Sequence, residues 1–147
     1  MSELLYKEEV FILVGHCMEV HRELGKGQDE VLYKDALVIE LQRAQILFAR
    51  ERKYEVTYKG VVLPHHYFAD FVVWDKILFE AKAVERLTDA HMKQALNYLA
   101  VSKLELGLLV NFGADSLEWK RVIRSQKPKA IELSNDFCLF KNSRQLA

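Results

Sequence analysis

The chain has 147 residues, enough for one domain with one core, and 50% of them are hydrophobic while 29% are charged. Lys and Arg number 21, as do Asp and Glu, so the formal net charge is zero. That balance argues against tight, sequence-independent coating of nucleic acid, and no apolar run reaches the ~20 residues that span a bilayer.

Residues 1–10 mix Glu3, Lys7, Glu8 and Glu9 with apolar neighbours, so they read as neither a signal nor a transit peptide. Cys17 and Cys138 lie far apart without ligand spacing. They read as ordinary thiols, and a reducing cytoplasm is the expected compartment.

In chain order, residues 5–24 predict a helix with Val10, Leu13, Val14, Cys17, Met18 and Leu24 on one face. Gly25 and Gly27 stop it. Asp29 opens a second helix to about residue 45, with an apolar stripe of Tyr33, Leu37, Leu41 and Ala44. Residues 54–58 alternate as a strand, and Lys59-Gly60 is a turn. Strand character continues over 61–63 and 67–73, broken near Pro64, which lacks an N–H. Asp75-Lys76 turns the chain into a strand over 77–83. Thr88 caps a helix to about residue 102. Residues 104–112 form a strand apolar enough for burial on both faces, and 117–123 a last strand. The expected order is ααβββαββ, a mixed α/β fold in which a helix crosses over to a buried strand. The domain is expected over residues 1–125, with 126–147 a loosely attached C-terminal extension.

Four features suggest chemistry. Glu30 shares an azimuth with Leu37 and Leu41, at the centre of an apolar stripe. The plainer reading is an acidic residue favouring the positive end of its helix. Asp70 interrupts an apolar strand, where a buried carboxylate is costly unless paired or bound to metal. Glu80 and Lys82 are two apart on the next strand and share a face. They can equally be a solvated ion pair. If the connection between the strands has an odd number of residues, Val73 pairs with Ile77 and Asp70 lies opposite Glu80, with Cβ atoms about 5 Å apart. A two-residue turn puts the two acids on opposite faces, and no Gly or Asn decides between these. With the odd loop, the oxygen ligands suit Mg2+ or Mn2+, and Lys82 can orient water or neutralise charge beside them. Finally, His91, Gln94 and Tyr98 share one flank of their helix, as a polar edge also would. The adjacent His65 and His66 would point to opposite sides of a strand and are read as an irregular stretch.

The segment Gly27-Gln28-Asp29-Glu30-Val31-Leu32-Tyr33 resembles the signature of the GxxExxY protein family, a branch of the PD-(D/E)XK nuclease superfamily. Asp70-Phe71-Val72-Val73 and Phe79-Glu80-Ala81-Lys82 resemble the superfamily's D…(D/E)xK core. The segment from His91 to Leu99 resembles a helix carrying a Gln and a Tyr, and Leu108 to Gly113 also fits. Ala69 stands where the superfamily usually has Pro. The resemblance spans roughly residues 10–122. It implies a restriction-endonuclease-like core, a mixed sheet flanked by helices. It implies Asp70, Glu80 and the Ala81 carbonyl as ligands of Mg2+ or Mn2+, Lys82 as the catalytic lysine, and Glu30 near the metal. Gln94 and Tyr98, with His91 on the same flank, would lie near substrate.

The leading expectation is therefore a metal-dependent phosphodiesterase acting on DNA rather than RNA. A non-catalytic nucleic-acid- or nucleotide-binding or regulatory module on the same fold is the alternative. A structural subunit dimerising through Trp74, Trp119 and Phe140 is the third reading, although the sequence shows no coherent patch. No membrane partner is expected, and homodimerisation is left open.

Overall fold

The structure is a computed structural model and describes residues 4–124. The expected extension at 126–147, with Cys138 and Phe140, lies outside the described residues.

Helix α1 (Lys7–Leu24) buries Val10, Leu13, Val14, Cys17 and Val20. Gly25, at φ 68, caps it in a conformation that L side chains rarely adopt. Met18, expected on the buried face, is instead 47% exposed, because it flanks the buried stripe of Val10, Val14 and Cys17 and faces a surface groove. With Leu4, Phe11, Val14 and Trp119 it lines an apolar groove of about 610 Å3. Trp119 therefore belongs to a coherent surface that the sequence did not show.

Helix α2 (Glu30–Arg43) starts at Asp29 and buries Tyr33, Leu37 and Leu41. Ala44 is its exposed C-cap and leaves the stripe. The Tyr33 hydroxyl donates to Gly25 O at 2.6 Å and accepts from the Gln28 N–H at 3.1 Å, so one side chain closes the α1–α2 turn. Its ring stacks on Phe112 with centroids 4.8 Å apart.

The first strand departs from expectation. β1 (Phe48–Tyr54) begins six residues before the predicted one. Glu55 and Val56 then separate it from β2 (Thr57–Tyr58), which pairs only with β3 (Val61–Val62) across the Lys59-Gly60 turn. β4 (Tyr67–Val73) and β5 (Ile77–Lys82) follow. Helix α3 (Asp89–Ser102) then crosses to β6 (Leu106–Asn111), and β7 (Glu118–Ile123) closes the sheet.

Five strands form one sheet in the order β1-β4-β5-β6-β7. Only β5 and β6 run parallel, as expected for a pair joined through a crossover helix. The fold is the expected mixed α/β sheet flanked by helices, in the order ααβββαββ once the β2–β3 ribbon is set aside. One core layer packs α1 and α2 on Phe71, Val73, Ile77, Phe79, Leu106, Leu108 and Val110. The other packs Ala95 and Leu99 of α3 on Ala69, Val72, Leu78 and Val122. Among the described residues no helix is long and apolar enough to cross a membrane.

Candidate active site

The connection from β4 to β5 has three residues. Val73 pairs with Ile77, Val72 with Leu78 and Phe71 with Phe79. Trp74 and Asp75 make the turn with left-handed backbones, φ 55 and 61, where Gly would be expected. This is the odd loop, and its register brings Asp70 level with Glu80.

The paired ladder stops one step short of them. Instead the Asp70 N–H donates to Glu80 Oε2 at 3.1 Å, and the Ala81 N–H donates to Asp70 Oδ2 at 2.8 Å. Each acid is fastened to the other strand's backbone. The alternation of side chains slips here too. Ala69 and Val72, three residues apart, lie in the same core layer, where a regular strand would send them to opposite faces. On β1 the residue opposite Asp70 is Glu51, which lies between the pairs Arg50–Phe71 and Arg52–Ala69 and has φ 55. Local irregularity of this kind re-aims side chains out of a ladder.

Both acids are buried, Asp70 at 9% and Glu80 at 6% exposure. Burial, and next the charge of Asp70, push the Glu80 carboxyl up to about 8, against the opposing pull of Lys82. The Tyr67 hydroxyl donates to Glu80 Oε2 at 3.3 Å, and burial and the Glu80 charge raise its pKa. Tyr98 stacks on Tyr67 at 3.5 Å between centroids, and burial followed by the same acids raises its pKa as well.

Lys82 Nζ donates to Gln94 Oε1 at 2.9 Å, so α3 anchors the lysine of β5. Gln94 and Tyr98 thus reach Lys82 and Tyr67, the neighbours of Glu80, from α3. His91 does not join them by hydrogen bonds: its Nδ1 accepts from the Thr88 N–H at 3.0 Å and closes the helix cap. Glu30 stands at the start of α2 on the rim, its side chain 42% exposed. Burial and the Asp70 charge raise its pKa, which places it within the electrostatic reach of the site.

One residue escaped the sequence reading. Lys34 Nζ donates to Asp70 Oδ1 at 3.0 Å and to Glu51 Oε2 at 3.2 Å. Burial works against its charge, but Asp70 and then Glu51 outweigh it and raise its pKa. Its spacing four after Glu30 was the available signal, since such pairs share a helix face.

The end of β5 is locked from the other side. Asn111, fully buried, accepts from the Val84 and Gly113 N–H groups at 2.9 Å and donates to Glu118 at 3.0 Å. Gly113 lies so close to the Ala83 and Val84 backbone that a Cβ would overlap it. The Lys82 carbonyl accepts from the Phe112 N–H at 2.8 Å on the β6 side. Carbonyls alternate along a strand, so that of Ala81 points toward β4, beyond the last β4–β5 pair.

The groups that could hold an ion here are all oxygens: the Asp70 and Glu80 carboxylates, with the Ala81 carbonyl directed to the β4 side. That set fits a hard cation such as Mg2+ or Mn2+. Burial, and next the Asp70 charge, disfavour the ionised Glu80 carboxyl, and a cation between the two acids would offset both. Among the described residues no three His, Cys, Asp or Glu side chains gather to hold an ion by themselves. An ion held here would need backbone, water or phosphate oxygens to complete its coordination, as Mg2+ sites commonly allow.

A profile of the PD-(D/E)XK nuclease superfamily matches residues 7–122. No curated protein matches the sequence. Among solved structures, the protein SSO0001 is similar at 16% identity and a TM-score of 0.46, over 92% of this chain and 87% of that one. An alkaline exonuclease (LHK-Exo) from Laribacter hongkongensis is similar at 11% identity and a TM-score of 0.47, over 92% and 77%.

Proposed function

The chain belongs to the PD-(D/E)XK nuclease superfamily, and from that membership we propose that it is a divalent-metal-dependent nuclease that hydrolyses phosphodiester bonds in DNA, before RNA. We place it in the GxxExxY branch, whose signature runs from Gly27 to Tyr33. The observation that carries the reading is the meeting of Asp70, Glu80 and Lys82 at the split between β4 and β5.

Asp70, Glu80 and the Ala81 carbonyl would hold Mg2+ or Mn2+. Such an ion supplies Lewis acidity toward a phosphate and its attacking water. Lys82, fixed by Gln94, presents its ammonium beside Glu80 and neutralises charge that develops on the phosphoryl oxygens. Glu30 adds negative charge at the rim, within electrostatic reach of Asp70 and Lys82. Tyr98 and Gln94 line the α3 side toward the nucleic acid, and His91 holds the start of that helix in place. Only Lys82 acts on the reacting atoms directly through its own charge; Gln94 and His91 position.

The test pairs calorimetric titration of Mn2+ with cleavage assays on single- and double-stranded DNA and RNA. Wild type binds the ion and cleaves; Asp70→Asn and Glu80→Gln lose both. A wild type that neither binds Mn2+ nor cleaves any of these substrates refutes the reading. One observation favours the alternative, a non-catalytic nucleic-acid-binding module: Lys34 already occupies Asp70 Oδ1. Nucleic-acid binding without cleavage, unaffected by Mn2+, would select that alternative.

A further inference from the structure

Lys34 carries a charge that the proposed chemistry does not use. Its side chain is 12% exposed, although an ammonium is seldom buried unless it is paired. Its Nζ lies 3.0 Å from Asp70, 3.2 Å from Glu51 and 3.7 Å from Glu30. Three carboxylates from β4, β1 and α2 share this one ammonium. Glu51 reaches it from a left-handed position inside a strand, a conformation that a non-Gly residue adopts only at a cost. The arrangement is thus built around Lys34 from several elements and is more than a surface pair.

We propose that Lys34 is a resident cation of the site, which holds Asp70 Oδ1 while no divalent ion is bound and yields that oxygen when one arrives. The proposal rests on the metal-site reading above. An ammonium and a divalent ion repel each other and cannot both sit against one carboxylate oxygen at full strength. Lys34 therefore weakens divalent-ion affinity while keeping Asp70 in place beforehand. Its flexible four-carbon stem lets the ammonium withdraw. Glu51 and Glu30, both half exposed, keep it at the rim after it leaves Asp70.

The experiment is calorimetric titration of Mn2+ into the full chain as wild type, Lys34→Met, Lys34→Gln, Lys34→Arg and Lys34→Met/Asp70→Asn. The two neutral variants bind Mn2+ at least about tenfold more tightly than wild type, since a unit charge has left the ligand shell. Lys34→Arg keeps the charge and stays near wild type, and the double variant loses the gain. The metal-free neutral variants also melt lower than wild type, and Mn2+ raises their Tm more. A purely structural lysine would lower Tm without tightening Mn2+ binding. If wild type binds Mn2+ through Asp70 but neither neutral variant binds it more tightly, the resident-cation proposal falls and the metal site stands. If no form binds Mn2+, both fall.

Discussion

The Asp70 N–H donates to Glu80 Oε2, so the strand that carries one acid fixes the carboxylate of the other. That buried carboxyl titrates at about 8, raised from 4.5. Between those values the folded chain holds a proton that the unfolded chain has released. The stabilisation is complete below the unfolded value and is lost as pH rises through about 8. The metal-free protein should therefore melt lower with rising pH, by an amount equivalent to a few kcal/mol at most, roughly. Glu80→Gln should flatten that dependence, which thermal melts across the range would show. A divalent ion competes with the same proton, so Mn2+ affinity should climb with pH toward about 8.

Lys82 and Gln94 divide chemistry from positioning. Lys82→Ala should lower the single-turnover cleavage rate by about 100-fold or more without abolishing Mn2+ binding. Gln94→Ala removes only the anchor at 2.9 Å and should cost about tenfold. A Lys82→Ala rate close to wild type would show that Lys82 does no more than fill space.

Tyr33 ties the turn between the first two helices through both its lone pair and its proton. Tyr33→Phe keeps the stack on Phe112 and leaves Gly25 O and Gln28 N–H without their partner. Urea unfolding should show a loss of about 1–3 kcal/mol. No change would mean that water replaces the hydroxyl.

Gly113→Ala puts a methyl group into the Ala83–Val84 backbone just past the end of β5. A loss of about 1–3 kcal/mol is expected from overpacking. Cleavage should fall further than stability alone explains, because the displaced backbone carries Lys82. Comparing melts with rates at a temperature where both forms are folded separates the two effects.

Much of this was legible in the residues. Burial drives the signals that sequence shows best, so β4, β5, β6 and α3 fell close to their expected bounds. β1 did not, because it is an edge strand of mixed charge, Phe48-Ala49-Arg50-Glu51-Arg52-Lys53, held chiefly by backbone pairing to β4. Asp70, Glu80 and Lys82 stood out as charges in apolar strands. Lys34 did not, since a lysine on a helix is unremarkable until the elements that surround it are assembled. Nor did Glu51, whose approach depends on a backbone angle that no residue type announces. The β4–β5 loop was undecidable for the same reason: Trp74 and Asp75 do what glycine usually does.

The same loop makes the chemistry a matter of parity. With Trp74, Asp75 and Lys76 between the strands, both acids meet on one side of the sheet. Were Trp74 to join β4 and leave Asp75-Lys76 as a two-residue turn, the register would slip by one, and Glu80 and Lys82 would face away from Asp70 with no residue of the chain changed. A slip of two residues in register keeps the two acids on one side of the sheet, and a slip of one parts them. A hairpin tip that touches nothing in the reaction thus decides whether the chain can hold a reaction centre at all.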